Sequence, residues 1–429
     1  MNKATLMSFA AVVAMVSAAY AGECFNVRDF GAKGDGVTKD TAAIQRAIDA
    51  ANAAGGGEVR LTAGTYLTGS LFLKSNVDFH LAAGAVLKGS NDPADYNAKD
   101  VCPQNGWSAR EKENTSGGHL LLCIEQENVT LRGPGVVDGS GPGFLLDPAT
   151  GDMWGKKPGL DMYSYRKCIP FRPAQMIYFV ESKNLRVTDL EIRDSPYWSM
   201  FIHGCEQVAV RGCYIHDEWH KFHTFNGDGI DLDCSRYVTV SDCRIDTADD
   251  CITLRASGLS RLKHPGDCAY VTIANCTLSS PCNALRVGVG TGKIHDCTVS
   301  GISVHNSRTA VNFASAWDPR QTDGCDISNI RISDWVVDCE HLFHVYGGLL
   351  AEGVKRTATT HDVVVSGLSG RVTGTSSIEG CSPECPIRNI ILRDIDIDCE
   401  VAVRNAENVT IDGGRLRRRD FLIVDSDVR

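Results

Sequence analysis

Short runs of alternating apolar and polar residues recur along most of the chain. From about residue 128 onward, each unit holds a run of three or four alternating positions, a corner of small residues or Asn and Asp, and a second run. Because successive side chains of a strand point to opposite faces, this alternation predicts many short β-strands. The units, often spaced 20–33 residues apart, are NVTLRGPGVVDG from Asn128, NLRVTDLEIRDS from Asn184, QVAVRGCYIHDE from Gln207, YVTVSDCRIDTADD from Tyr237, YVTIANCTLSS from Tyr270, KIHDCTVSGISVHNS from Lys293, DISNIRISDWVVDC from Asp326, IRNIILRDIDIDC from Ile387 and NVTIDGGRLRR from Asn408.

A repeat of this length is typical of a solenoid, a propeller or an array. A propeller blade needs four strands and about 40 residues, and the Leu and Asn consensus of a leucine-rich repeat is absent. We therefore expect an all-β, single-domain, right-handed parallel β-helix, in which each turn of chain is one rung and rungs stack about 4.8 Å apart. Val, Ile, Leu, Cys and Ala are expected inside, and Asn, Ser and Thr at the corners.

One segment has helical periodicity instead. Residues 40–54, DTAAIQRAIDAANAA, precede three glycines, which favour the end of a helix. Asp40 is expected to cap the first turn through its carboxylate. A solenoid must cover its ends, so we expect this helix to close the N-terminal end. Its predicted buried positions are Ile44, Ala47, Ile48 and Ala51.

The chain shows no linker rich in Pro, Ser or Gly, so residues 22–429 are predicted to form one domain. Two insertions interrupt the repeat, at about 93–118 and about 141–175. Both combine aromatic residues with Arg, which are side chains that stack on and bind sugars. Long loops on a regular scaffold are often functional, so we expect the insertions to form the walls of a cleft.

The N-terminus has the pattern of a secretory signal. Lys3 gives a basic start, Leu6 to Val16 is apolar but short for a membrane span, and Ala19-Tyr20-Ala21 has the form of a cleavage site. The alternative is a buried N-terminal helix. We expect residues 1–21 to be removed and the protein to be exported, to the periplasm or outside the cell. No other long apolar run predicts a membrane span.

Charge and cysteine content narrow the function further. The 429 residues carry 43 Lys and Arg against 53 Asp and Glu, a net charge of −10, which argues against binding to a nucleic acid backbone. An exported chain with 18 cysteines is expected to form some disulfides, and Cys381 and Cys385 are the most favourable local pair. Most other cysteines stand alone in strand-like runs, which favours small buried side chains over a zinc site.

The strongest chemical signal is acidic. Asn226-Gly227-Asp228-Gly229 precedes Ala248-Asp249-Asp250, and Asp228 lies 21 and 22 residues before the two adjacent acids. That spacing is one rung, so the three carboxylates should be neighbours. Carboxylates that repel one another hold protons at different pKa values, as general acid and base catalysis requires. The alternatives are a calcium site or Asp residues that only cap corners.

At these residues the sequence resembles glycoside hydrolase family 28, the polygalacturonase-like β-helix enzymes. The resemblance implies hydrolysis of a glycosidic bond with inversion, in which one carboxylic acid protonates the leaving oxygen and another carboxylate activates water. It assigns the general acid to Asp249, the water to Asp228 and Asp250, and orientation of the cluster to Asn226, with no cofactor or metal. The matching stretches are GPG from Gly133 with Asp138-Gly139, DSPYW from Asp194, NGDG from Asn226 and ADD from Ala248, while FNVRDFGAKGDG from Phe25 resembles a signature that many β-helix enzymes share.

Two departures bear on the substrate. Asn283 stands where the family has a His, and the stretch Ala310-Val311-Asn312-Phe313-Ala314-Ser315, which matches the region of the Arg-x-Lys that grips a uronate carboxylate, lacks both cations. Arg286 and Arg308 lie nearby and could supply the missing charge. The sugar therefore stays open among modified pectin, glycans with rhamnose or xylose, and other plant or algal polysaccharides.

Further candidates surround the cluster. His216, His220 and His223 form an H-x-x-x-H-x-x-H run, which we interpret as a loop beside the cleft rather than a metal site, with His223 contacting substrate. His305 and Arg308 are expected to line the cleft one rung further on. Three functions fit these residues: a hydrolase of a pectic or related polysaccharide or oligosaccharide, a non-catalytic carbohydrate-binding solenoid, and, third, a calcium-dependent lyase.

Overall fold

The computed structural model describes residues 23–97, 116–144, 172–217, 227–257, 262–316, 322–348 and 350–420. In these residues the chain forms a right-handed parallel β-helix of 32 strands, each paired in parallel with the strand one turn away. This confirms the predicted fold. The three regular faces of the solenoid are named first, second and third in the order in which each rung visits them.

The first face carries the residues of interest, and three long strands turn from one face to the next. β25 runs from the third face to the first, β26 covers all three faces and β27 runs from the second to the third. The first face contains β5 (Leu71–Leu73), β8 (Leu121–Ile124), β11 (Ile177–Val180), β14 (Met200–His203), β17 (Ile230–Asp233), β20 (Ile252–Ala256), β23 (Asn283–Gly290), β28 (Ser376–Glu379), β30 (Glu400–Arg404) and β32 (Arg417–Asp420); the long strands are β25 (Ser303–Ala314), β26 (Asp326–Tyr346) and β27 (Thr360–Val372).

The other two faces complete each rung. The second face contains β1 (Cys24–Asn26), β3 (Gly57–Leu61), β6 (Val77–Leu81), β9 (Glu127–Arg132), β12 (Lys183–Thr188), β15 (Glu206–Arg211), β18 (Arg236–Ser241), β21 (Cys268–Ala274), β24 (Lys293–Ser300), β29 (Ile387–Ile395) and β31 (Ala406–Gly414). The third face contains β2 (Asp35–Lys39), β4 (Gly64–Thr68), β7 (Ala85–Gly89), β10 (Val136–Asp138), β13 (Glu191–Arg193), β16 (Tyr214–His216), β19 (Arg244–Asp246) and β22 (Thr277–Ser279).

The predicted helix, α1 (Thr41–Ala53), packs on β1, β3, β5 and β6 and closes the N-terminal end. Asp40 is the N-cap residue, as predicted, but its carboxylate makes no capping hydrogen bond, because it accepts from the backbone N–H groups of Lys33 (2.7 Å) and Gly34 (2.9 Å). Asp40 therefore fixes the preceding loop. The buried side chains of the helix are Ala43, Ile44, Ala47, Ile48 and Ala51, which include all four predicted positions.

Like residues stack at the corners, as the repeat predicts. On the second face Asn184 Nδ2 donates to Asn128 Oδ1 (2.6 Å), and Asn128 Nδ2 donates to Asn76 Oδ1 (2.9 Å). All three residues have φ between 51° and 62°, a left-handed conformation that Asn tolerates better than most residues. The stack thus satisfies polar side chains between rungs where the chain turns.

The cysteines give a correction. Among the described residues all 16 cysteines are free thiols, so the predicted Cys381–Cys385 disulfide is wrong. The Cys381 thiol instead donates to the backbone carbonyl oxygen of Cys385 (3.6 Å), while burial first and then the Cys381 thiol raise the pKa of Cys385 to about 12. The lone cysteines of the strands fill the interior: Cys213, Cys243, Cys276 and Cys297 are each at most 2% exposed.

The predicted signal segment and most of both insertions lie outside the described residues. Within the described part, no helix has the length and apolar character needed to cross a bilayer.

Candidate active site

The three predicted acids meet where successive rungs enter the first face. Ile230 of β17 pairs with Ile252 of β20, and Ile252 pairs with Leu285 of β23. Asp228, Asp250 and Asn283, which lie two residues before these three positions, therefore align in one column. The backbone holds this alignment, because the Gly229 N–H donates to the Asp250 carbonyl (2.9 Å) and the Cys251 N–H donates to the Asn283 carbonyl (3.0 Å).

Close packing between neighbouring rungs requires glycine at position 229, directly after Asp228. A Cβ added there would lie 2.5 Å from the Cys251 carbonyl oxygen and 2.7 Å from Ile245 Cγ2. The neighbouring rungs therefore approach so closely that only a residue without a side chain fits. This close contact fixes the position of Asp228 along the solenoid axis relative to Asp250.

Asp250 is a buried carboxylate with a cation beside it. It is 4% exposed, and its Oδ2 forms an ion pair with the guanidinium Nε of Arg286, which is 5% exposed. Asn283 Nδ2 donates to Oδ1 at 2.5 Å, and Arg286 Nη2 lies 3.4 Å from the same oxygen. Burial disfavours the charge of Arg286, but Asp250, together with Cys282 and Asp249, outweighs burial and raises the Arg286 pKa. The guanidinium is therefore committed to Asp250.

Asp228 is in a different electrostatic environment. It is 5% exposed, and burial first, then the negative charges of Asp231, Asp249 and Asp250, raise its pKa well above the ordinary range. Among the described residues, its Oδ1 has no hydrogen-bond partner. Asp228 therefore holds a proton at pH values where an exposed carboxyl has lost it.

Asp249 is the most exposed of the three acids and is half-buried. The backbone carbonyl of Asp249 accepts hydrogen bonds from Ser280 Oγ (2.5 Å) and Thr247 Oγ1 (3.2 Å), which fix the chain at this point. The predicted neighbours are thus brought together, and Asp249 is the acid with the greatest exposure to solvent.

A metal ion is one group that this cluster could hold. One carboxylate oxygen each of Asp249 and Asp250 and Cys282 Sγ all lie within 4.8 Å of one another. Burial and the two acids raise the Cys282 pKa, however, and a thiol coordinates metals well only as thiolate. Arg286 already neutralises Asp250. The donor set therefore fits a metal poorly.

A second group of charges borders the cluster and was missed in the sequence. Arg255 Nη1 lies 3.1 Å from Asp231 Oδ1, and its guanidinium lies 4.5 Å from the centre of the Trp198 ring. Asp231 is fully buried, and burial, opposed in part by Arg255, raises its pKa to about 7. The alternation Ile230-Asp231-Leu232-Asp233 is the signal that could have shown two acids on one side of this strand.

Asp233 has the opposite shift. Burial alone would raise its pKa, but hydrogen bonding to His203, the charge of His203 and then that of Arg255 lower it to about 2. His203 Nδ1 lies 2.9 Å from Asp233 Oδ2, and neither side chain is exposed. The pKa values of Asp231 and Asp233, two acids of one strand, thus differ because only Asp233 has an imidazole partner.

On the C-terminal side of the cluster, a row of polar side chains continues along the first face. Arg286, Asn312, His344 and Ser377 are paired in register on successive strands. Asn312 Nδ2 donates to Asn283 Oδ1 (3.2 Å), which links the row to the acids. Burial, then the charges of His341 and Arg308, lower the His344 pKa to about 4, so this imidazole is neutral near pH 7.

The remaining predicted residues divide into three groups. Asn226 and His223 lie outside the described residues, as does His220. Arg308 is exposed and close enough to depress the His344 pKa. The other histidines lie elsewhere: His305 is 3.4 Å from Asn306 and, in the described residues, makes no contact with the cluster, while His216 pairs with Glu191 (3.2 Å) on the third face and stacks on Tyr214.

A solenoid with clustered acids can be compared with known proteins. The family model described as "Glycosyl hydrolases family 28" matches residues 104–338, more than half of the 429-residue chain. The chain belongs to glycosyl hydrolase family 28. A second model, "Rhamnogalacturonase A/epimerase, pectate lyase-like", matches residues 24–131, the N-terminal rungs of this family 28 chain.

Individual relatives agree with the family. An exo-poly-alpha-D-galacturonosidase of Dickeya chrysanthemi is 28% identical over 54% of this chain and 42% of its own length. A probable polygalacturonase of Vitis vinifera is 26% identical over 66% of this chain and 55% of its own length, so the matches span about half of these relatives. The crystal structure of an exopolygalacturonase from Thermotoga maritima superposes with a TM-score of 0.69 at 22% identity, covering 91% of this chain and 92% of that one, and shows the same fold.

Proposed function

We propose that this family 28 chain hydrolyses a glycosidic bond of a pectic or related polysaccharide or oligosaccharide, using Asp249, Asp228 and Asp250. The observation that carries the proposal is the unequal environment of three neighbouring carboxyls. Asp250 faces a buried guanidinium, Asp228 has a raised pKa and Asp249 is the most exposed. Acid and base catalysis needs carboxyls that differ in this way.

Asp249 is assigned the general acid by the resemblance to the family, and its exposure, the greatest of the three acids, supports this role. It transfers its proton to the glycosidic oxygen as the bond from that oxygen to the anomeric carbon breaks. The raised pKa of Asp228 keeps a proton within the cluster, from which Asp249 can be reprotonated.

Asp250 is assigned the base. Arg286 and Asn283 fix its carboxylate, which takes a proton from water as that water attacks the anomeric carbon, with Asp228 as the second group holding the water. The products are two shorter sugars, one with a new reducing end. Bond breaking at one carboxyl and water activation at another follow the general scheme for glycosidases.

We propose inversion at the anomeric carbon, on the strength of the family. The nearest oxygens of Asp249 and Asp250 lie within 4.8 Å, whereas about 6.5–9.5 Å separates the carboxyls of most inverting enzymes and about 5–5.5 Å those of retaining ones. The configuration of the first-formed product, followed by NMR before mutarotation, decides between the two outcomes. A product that keeps its configuration would remove inversion from the proposal but leave hydrolysis in place.

The substrate is proposed to differ from plain polygalacturonate. Asn312, in the stretch that lacks the family's Arg-x-Lys cations, is hydrogen-bonded to Asn283, and Arg286 is paired with Asp250. A uronate at this point would meet amides and a neutral imidazole. Modified or neutral sugars of the pectic type fit these side chains better, with Arg308 as an exposed cation close to His344.

The test is to incubate the mature protein with a panel of pectic and other plant and algal glycans, reading reducing ends and ultraviolet absorbance together. Hydrolysis gives reducing ends without absorbance, and Asp249→Asn should reduce the rate at least 100-fold, an order expected for loss of a general acid. Asp412→Asn, at an exposed position of the second face near the C-terminal end, is the matched control and should leave the rate unchanged.

Two results would replace the proposal. An unsaturated, absorbing product would indicate a lyase, and binding of a panel glycan without turnover would indicate a carbohydrate-binding solenoid.

We also propose that residues 1–21 direct export, which N-terminal sequencing of the protein recovered outside the cytoplasm would test. An N-terminus that still begins at Met1 would contradict cleavage.

A further inference from the structure

Two tyrosines on the second face are exposed, although this face is otherwise polar. Tyr237 and Tyr270 are 56% and 47% exposed. Their rings stack 5.1 Å apart with an angle of 7° between the planes. The residues directly before Asn184, Gln207, Tyr237 and Tyr270 are paired in register along β12, β15, β18 and β21. The two tyrosines therefore continue the column that Asn184 and Gln207 begin. An aromatic pair thus replaces the stacked amides at this corner.

An open surface cavity of about 470 Å³ lies against Tyr237, within the range of about 300–1,000 Å³ typical of ligand sites. Its walls come from three rungs, of which the one with Tyr237 is the last. Since Tyr270 covers the opposite side of Tyr237, the ring presents its outer face to the cavity. The lining residues are Asn184, Leu185, Arg186, Gln207, Val208, Ala209, Tyr237 and Thr239.

The polar side chains around the cavity have unused hydrogen-bonding capacity. Among the described residues, Arg186, Gln207 and Thr239 form no side-chain hydrogen bond or ion pair, and Arg186 is exposed. The nearby acid Glu206 is already paired with Arg236 (2.8 Å). A cation without a counterion, in a chain of net charge −10, therefore lies beside an exposed aromatic face.

We propose that this cavity is a second carbohydrate-binding site, separate from the acids of the first face, and that it takes an oligosaccharide bearing uronic acids. The apolar face of one sugar packs on Tyr237, its carboxylate pairs with Arg186, and its hydroxyls bond to Gln207 and Thr239. The choice of an acidic sugar rests on the charge of Arg186 and on the proposed function in pectic chains. The site would hold a polymer on one face of the solenoid while another part of it is cleaved on the next.

The test measures binding of a purified oligogalacturonate by isothermal titration calorimetry, in an Asp249→Asn background so that nothing is cleaved. Tyr237→Ala and Arg186→Ala should each weaken binding of the oligogalacturonate about tenfold or more, because Tyr and Arg are typical of residues that dominate binding. Arg331→Ala removes the same charge from an exposed position on the same face, three rungs beyond the last rung that lines the cavity, and should change nothing. The three variants in the active chain should keep their rate on a short soluble substrate.

Binding that is unchanged in both Tyr237→Ala and Arg186→Ala would overturn the site, as would an equal loss in Arg331→Ala. A fully methyl-esterified oligogalacturonate that binds as well as the free acid would overturn the role of Arg186. Failure of the proposed function is a separate result, since it appears as absence of hydrolysis on the glycan panel and leaves these comparisons between variants intact.

Discussion

Removing Arg286 is the perturbation that most directly tests how the acids are held. Arg286 and Asp250 form an ion pair in which the side chains are only 6% and 5% exposed. Arg286→Met keeps much of the volume of the side chain but leaves the Asp250 carboxylate buried with Asn283 as its remaining described polar partner. Breaking a buried pair in this way typically costs about 3–5 kcal/mol.

That cost can be converted to a melting shift. An unfolding entropy of roughly 2.1 cal/mol/K per residue over 429 residues gives about 0.9 kcal/mol per degree, so the midpoint should fall by about 3–6 °C. Asp250→Asn should also destabilise the chain, since Arg286 is then the unpaired charge. The double variant removes both charges and should recover about 1–3 kcal/mol relative to the sum of the singles.

Thermal melts followed by circular dichroism give the four midpoints, and reducing-end assays give the four rates. The double variant should recover stability without recovering activity, because the carboxylate assigned as base is still missing. Additive effects, within about 0.5 kcal/mol, would refute the reasoning that the pair acts as one unit. Activity in the double variant would refute the role of Asp250.

Three further predictions follow from the site. The Asp231 pKa is raised to about 7, mainly by burial, so the folded chain keeps a proton that the unfolded chain loses above about pH 4. The free energy of unfolding should therefore fall as pH rises from about 4 to about 7. In denaturant titrations, Asp231→Asn should flatten this slope. Gly229→Ala places a Cβ 2.5 Å from the Cys251 carbonyl and should cost about 1–3 kcal/mol, whereas Gly353→Ala, at an open turn with positive φ, should act only through its backbone; equal loss at both would contradict the close approach. Asn312→Lys adds a cation beside Asn283 and should lower the KM for polygalacturonate more than for a neutral glycan, and an equal change on both would argue against this position as a uronate contact.

The alternating pattern and the 22-residue spacing were enough to predict the solenoid and to place Asp228 beside Asp250. Both follow from local rules, because strand alternation and rung length are properties of consecutive residues. The helix could be predicted for the same reason, and its apolar positions are the buried ones. Asp40 is the N-cap residue, but its carboxylate makes no capping hydrogen bond because a loop six and seven residues earlier uses it, and such competition for one acceptor cannot be seen in a helical pattern.

The electrostatic partners could not be predicted in the same way. Arg286 was suggested as a substrate contact, whereas the structure pairs it with Asp250, 36 residues earlier. Arg255 and His203 decide the different pKa values of Asp231 and Asp233, and His203 lies a full rung before them. Spacing shows that two side chains share a rung, but which of them meet depends on side-chain direction at the turns.

The strand β26 has a consequence for how the chain can be shortened. Its 21 residues run around all three faces and pair with β24 and β25 on one side and with β27 and β28 on the other. A solenoid is stabilised by contacts between nearest neighbours, and a rung built from one unbroken strand binds its three faces into a single cooperative unit. A protein truncated before Asp326 would leave the edges of β24 and β25 open, three rungs or fewer from the acids, and unpaired strand edges invite association with other chains. The C-terminal rungs therefore cover strand edges that would otherwise be open. The smallest soluble catalytic fragment should extend past Tyr346.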